Sequence, residues 1–230
     1  MFGLMRFWQS TIGKKIVMAV TGIIGILFVI GHMAGNLQMF YPDAPLKMQH
    51  YAQLLRISMP ALYAVRAVLL LSVILHAVAA YQLTMIANKA RPEKYQVRKP
   101  QVTTLAAKTM RWGGVLLVVF IVFHILHMTL GVVHPQFVHL DPYNNLRTGL
   151  ANPLVAGFYV VAVGFLGLHL YHGAWAVART LGVARPSTQP LKRKVSVVIA
   201  IVVALGFMAV PLAAVAGLFP EASVPAVEAN

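Results

Sequence analysis

Four histidines sit in apolar stretches of this chain in a doubled pattern. His32 and His76 lie 44 residues apart and His124 and His169 lie 45 apart, so the second pair repeats the first at offsets of 92 and 93. Neighbouring residues repeat with them. Phe28-Val-Ile-Gly-His32 matches Phe120-Ile-Val-Phe-His124, Leu75-His76 matches Leu168-His169, and an Ala-Arg-Pro follows each unit at Ala90 to Pro92 and Ala184 to Pro186. An imidazole inside a bilayer is expensive and marks a functional site by default. Two matched pairs point to two metal-centred cofactors held between helices. The competing reading of any single one is a buried His donating to a backbone carbonyl, and four in register make that hard to sustain.

The elements that carry these residues follow from composition. Of 230 residues, 59% are hydrophobic and 10% charged, against roughly 25% charged in a soluble domain. This is the composition of an all-α integral membrane protein. Five apolar segments each exceed the roughly 20 residues a helix needs to cross a bilayer: Ile16 to Phe40, Pro60 to Ala87, Thr109 to Val133, Pro153 to Ala178 and Val195 to Phe219. Arg6, Lys14 and Lys15 before the first span resemble a signal-peptide start, but the apolar stretch is too long and carries His32 in its distal part, so it reads as a retained span. Fifteen of the 19 Lys and Arg fall on one side of the five spans, and Lys47, Arg56, Arg66 and Arg147 on the other with four of the five acids. Basic loops stay cytoplasmic. The expected topology therefore has the N-terminus inside and the C-terminus outside, and the +14 charge is an orientation and docking signal rather than a nucleic-acid surface. Residues 1–219 read as one transmembrane domain and 220–230 as a disordered extracytoplasmic tail.

Turn residues place the histidines in depth. Asp43 follows His32 by 11 residues and Pro135 follows His124 by 11, while Pro60 and Pro153 precede His76 and His169 by 16. His32 and His124 are thus expected at one level nearer the outer face, and His76 and His169 at a second level, roughly 8 Å further in at about 1.5 Å per residue. Two imidazoles facing each other at one level are what bis-His haem ligation needs, and a haem with both axial positions filled suits electron transfer. Cys is absent, so any haem is non-covalent. No Asp, Glu or Cys in the spans offers further ligands for a metal cluster. His127 and His172 lie one turn beyond favoured ligands and compete with them, but their counterparts in the first half are Gly35 and Ala79; they read as packing or supporting residues. His50, His134 and His139 fall in outer loops and read as solvated, His50 with scope to serve a substrate.

Weaker signals surround the pairs. Gly22 and Gly114 stand ten residues before His32 and His124 and either admit the inner macrocycle or serve ordinary helix packing. Gly31, Gly35, Gly164 and Gly167 read as packing. Arg66 is a candidate for the haem propionates, or snorkels to the headgroups. Trp8 and Trp112 fit an interfacial aromatic belt.

Together these residues carry a resemblance. Ser10-Thr-Ile-Gly-Lys14-Lys15, His32-Met-Ala-Gly-Asn36-Leu37, Tyr51-Ala, Ala90-Arg91-Pro92, Phe123-His124, Phe158-Tyr159 and Leu168-His169-Leu-Tyr-His172-Gly173-Ala-Trp175 resemble the five-helix dihaem cytochrome b anchor of succinate dehydrogenases and fumarate reductases. The likeness runs from about Phe7 to Gly217 and rests on order, spacing and topology rather than one motif. It implies the bacterial cytoplasmic membrane and docking to a flavoprotein and an iron–sulfur subunit on the cytoplasmic face, with succinate oxidised there as in the tricarboxylic acid cycle, not on this chain. It also implies two b haems, the inner on His76 and His169 and the outer on His32 and His124, and reduction of a quinone, menaquinone in this type. Some members carry a Glu two residues before the fourth ligand, where this chain has Gly167, so that proton route is in doubt here.

Two quinone locations are open. His50, Tyr51, Gln53 and Arg56 gather donors beside the outer level. Ser10 and Trp112 mark the cytoplasmic alternative. Other functions remain in competition: a fumarate reductase anchor working in reverse, a dihaem cytochrome b of another membrane oxidoreductase, and a His-relay transporter, the last disfavoured by the lack of buried carboxylates and broken helices.

Overall fold

The structure is a computed structural model that describes residues 2–90, 105–183 and 185–222. Among these residues there are helices and connecting turns and no strand. A short helix α1 (Phe2–Gln9) leads into α2 (Thr11–Asn36), which tightens into a 3-10 turn at Leu37–Phe40. Then come a loop helix α3 (Ala44–Leu54), α4 (Met59–Lys89), α5 (Leu105–His124) widening into a π turn at Ile125–Thr129, a loop helix α6 (Pro142–Gly149), α7 (Pro153–Thr180), a 3-10 turn at Pro186–Thr188, and α8 (Gln189–Val215). Five of these helical segments are long and apolar enough to cross a membrane.

Local chemistry sets the ends. Ser10, Ser58, Asp141 and Asn152 cap α2, α4, α6 and α7 with side-chain oxygens, each worth about 1 kcal/mol. Proline opens α3, α4, α6, α7 and α8, where its missing N–H is no loss. The first span begins at Thr11 rather than Ile16 because Ser10 caps it and Lys14 is buried inside the corner. The Lys14 ammonium donates to the carbonyls of Trp8 at 2.6 Å and Gln9 at 3.1 Å, closing the end of α1. The third and fifth spans stop at Thr129 and Val215, about four residues short of Val133 and Phe219. Gly131 and Gly217, at φ of 69° and 68°, turn the chain left-handed and end each helix although the sequence beyond stays apolar.

The central element is α7, which packs along α2, α5 and α8, while α4 lies along α2. Gly164 and Gly167 face α8: a Cβ at Gly167 would stand 3.1 Å from that of Ala204, so this position is committed to close helix contact. α2 and α5, and likewise α4 and α7, do not run packed along one another. At one end α3 and α6 meet. There Tyr143 donates to the Pro220 carbonyl at 3.0 Å, Asn144 to the Ala222 carbonyl at 2.9 Å, and Arg147 pairs with Glu221 at 3.6 Å. Residues 220–222 are therefore fastened to α6, against the expectation of a tail loose from 220; residues 223–230 lie outside the described ones. The opposite end carries α1 and the described basic residues other than Lys47, Arg56, Arg66 and Arg147. The basic connection around Glu93 falls mainly in 91–104, also outside the described residues.

Candidate cofactor sites

His32 on α2 and His124 on α5 face each other with ring centroids 5.8 Å apart. His76 on α4 and His169 on α7 do the same at 6.1 Å. In both cases the rings bridge helices whose backbones do not pack together. A metal between two imidazoles stands about 2 Å from each coordinating nitrogen, and each nitrogen about 1 Å from its ring centre, so the two centroids should be about 6 Å apart. Each pair supplies two nitrogens, and among the described residues no third His, Asp or Glu joins them. That donor set suits a metal whose remaining positions are filled by a macrocycle.

The duplication read in the sequence has a three-dimensional counterpart. Phe28 stacks on His32 at 5.3 Å and 10°, and Phe120 stacks on His124 at 5.7 Å and 29°; each is one helical turn away on the same face. His32 also meets Phe207 of α8 at 5.8 Å.

The other nitrogen of each ring decides which way the ring is used, since a ligating imidazole is held by a hydrogen bond at its second nitrogen. His76 Nδ1 lies 3.1 Å from Thr21 Oγ1. Its neighbour Gly22 lies against the same ring, since a Cβ there would stand 3.5 Å from His76 Cε1. Gly114, the repeat partner of Gly22, faces open space. His124 Nδ1 lies 3.2 Å from Tyr159 Oη. His169 Nδ1 is buried with no hydrogen-bond partner among the described residues, so no such bond orients this ring.

The two levels lie further apart than helix ends suggested. Tyr159, beside His124, and His169 are ten residues apart on α7, about 15 Å along the axis. Thr21, beside His76, and His32 are eleven apart on α2, about 16 Å. The expected 8 Å takes all outer turns to end at one height, which these contacts do not bear out. Two sites, not one cluster, result.

His127 and His172 belong to neither of the pairs that bridge α2 with α5 and α4 with α7. His127 is 2% exposed, donates or accepts at Nδ1 with Tyr159 Oη at 3.0 Å, and packs against His134 at 4.9 Å. His134 is the clear correction. It was expected in solvent but is 5% exposed, with Nε2 3.1 Å from Thr148 Oγ1. The turn at Gly131 folds it back beneath α6, and burial pulls its pKa below the usual histidine value. His139 is exposed as expected.

The quinone candidates are scattered. His50 is exposed, while Tyr51 lays its ring against Gly35, where a Cβ would stand 2.9 Å from Tyr51 Cε1. Arg56 donates to the Ala52 carbonyl at 2.8 Å; burial and then the charge of Arg66 pull its pKa down. Arg66 is exposed, 5.9 Å over the Tyr63 ring. At the other end the Ser10 hydroxyl is spent on the corner, donating to the Phe7 carbonyl and accepting from Gly13 N–H, and Trp112 is 81% exposed on α5. A hollow there is lined instead by Lys14, Tyr81, Gln82, Met85 and Ile86, with the Gln82 Oε1 buried and unpartnered.

No protein family, curated protein or solved structure matches the chain.

Sequence reasoning missed Thr21, the hydroxyl role of Tyr159, and the burial of His134. Thr21 adjoins Gly22, whose repeat was visible, but a lateral contact between α2 and α4 leaves no periodic trace.

Proposed function

We propose that this chain is the dihaem cytochrome b membrane anchor of a succinate:quinone oxidoreductase in a bacterial cytoplasmic membrane, with its N-terminus inside. The observation that carries the haem reading is the pair of facing histidines at 5.8 and 6.1 Å, each bridging a gap between helices. His32 and His124 would hold the outer haem, and His76 and His169 the inner one. When bound, a bis-imidazole haem supplies one-electron transfer with no open position for oxygen.

The chain's own residues do the rest. Thr21 and Tyr159 fix ring orientation. Phe28, Phe120 and Phe207 shield the outer pair with apolar surface. The basic end, with Arg6, Lys15, Lys89, Lys108, Arg111, Arg179, Arg185, Lys192, Arg193 and Lys194, offers the charge to dock an iron–sulfur subunit that itself carries a flavoprotein. Succinate as the electron source, and menaquinone as the acceptor, rest on the ordered motifs from Ser10 to Trp175. No Asp or Glu lies in the five spans, so protons for quinone reduction come from the loops or from histidine and tyrosine.

The test is direct. Purified from its native membrane, the chain should give two haem b per polypeptide in a pyridine haemochrome assay, released by acid acetone, and should bring a flavoprotein and an iron–sulfur protein with it. One haem or none, or a stable homo-oligomer without soluble partners, overturns the proposal.

A further inference from the structure

Tyr159 holds one hydroxyl between two imidazoles, with His124 Nδ1 at 3.2 Å and His127 Nδ1 at 3.0 Å. The hydroxyl has one proton. It can donate to one ring and must accept from the other. If it donated to His124, that ring would carry its proton on Nε2, and a protonated nitrogen has no lone pair for a metal. A ligating His124 therefore donates from Nδ1 to Tyr159, and Tyr159 donates onward to His127.

The ring packed against His127 has its own proton placed separately. Thr148 Oγ1 donates to the Asn144 carbonyl at 2.7 Å, so it accepts from His134 Nε2 at 3.1 Å. That leaves His134 Nδ1 as a bare acceptor, buried with no partner, in a ring 4.9 Å from that of His127. Gly149 makes room for both rings: a Cβ there would stand 2.9 Å from His134 Cε1 and 3.1 Å from His127 Cε1 and Nε2. Beside the inner pair the hydroxyl that meets a ring nitrogen is that of Thr21, at 3.1 Å from His76 Nδ1, and among the described residues no hydrogen bond links it to a further histidine.

We propose that Tyr159, backed by His127, is a positioning residue that fixes the tautomer of His124 and lowers the reduction potential of the outer haem. This rests on the dihaem reading. An acceptor at the second nitrogen makes an imidazole a stronger donor to its metal, which favours the oxidised metal. A hydroxyl that donates onward is itself a better acceptor, and that is the part His127 plays. The chain thus holds the outer haem lower than its two ligands alone would.

The experiment is a redox titration of the full chain in its native membrane, following the two haem absorbances, with the inner haem as internal reference. In Tyr159→Phe both haems stay and the outer one becomes about tenfold easier to reduce at a fixed potential, an upward shift of about 59 mV, with the inner one unchanged. His127→Phe shifts the outer haem in the same direction by less, and His127→Gln, which keeps an acceptor, returns it toward the parent value. The second and third variants decide the matter if Tyr159→Phe does not retain the outer haem. An outer potential unmoved in His127→Phe, or both haems moving together, overturns the inference while leaving the dihaem reading intact. A parent protein without two haems fails the earlier reading instead.

Discussion

The hydroxyl of Thr21 reaches the carbonyls of Val17 at 2.8 Å and Met18 at 3.2 Å on its own helix and stands 3.1 Å from Nδ1 of His76 on the next. Its single proton goes to its own backbone, so toward His76 it accepts. His76 then carries its proton on Nδ1 and presents a bare Nε2, the form a metal ligand needs.

Thr21→Val, which keeps the shape and removes the oxygen, should weaken retention of the inner haem about 10- to 100-fold and leave the outer one in place. Haem content after stepwise detergent washing, resolved by the two absorbance bands, measures this. Equal loss of both would contradict it.

Ligand identity is separable from neighbouring histidines. His76→Ala or His169→Ala should remove the inner low-spin haem alone, and His32→Ala or His124→Ala the outer. His172→Ala should keep both. Low-temperature spectra read the outcome, and two intact haems in His169→Ala would make His172 the ligand.

A different readout tests the outer loop. His134 is buried and its pKa is lowered by that burial. The unfolded chain therefore binds this proton first. The stability His134 contributes is complete above its unfolded value, about 6.5, and drains away as pH falls from there toward the lower folded value. Residues 130–152 should become more open to limited proteolysis below about pH 6.5, and His134→Asn should flatten the profile.

For quinone, the outer location predicts that His50→Ala slows quinone reduction with both haem spectra unchanged, because His50 is exposed on α3 and touches neither pair. Unchanged turnover, with impairment instead in Gln82→Leu beside the hollow at the basic end, would move the site there.

Much of this architecture was readable from the residues. The five spans follow from apolar length, and the partnering of His32 with His124 and of His76 with His169 follows from the repeat, because an imidazole in a bilayer is costly enough to be placed with care. Depth was not readable. Pro60 and Pro153 mark where helices start along the chain, but the height at which they start is set by tertiary packing, which turn residues do not encode. Burial of His134 depends on a left-handed Gly131, and the Thr21 and Tyr159 hydrogen bonds run sideways between helices.

The π turn at Ile125–Thr129 bears on the chain's ancestry. A π turn holds one more residue than the α-helix it replaces. His32 precedes Pro60 by 28 residues, while His124 precedes Pro153 by 29. The offset of 92 still relates Asp43 to Pro135, so the extra residue lies in the outer loop beyond the π turn, not within it. The widening beside His127 is a separate, local departure of the second half, one that lets the two halves differ in chemistry within a shared frame.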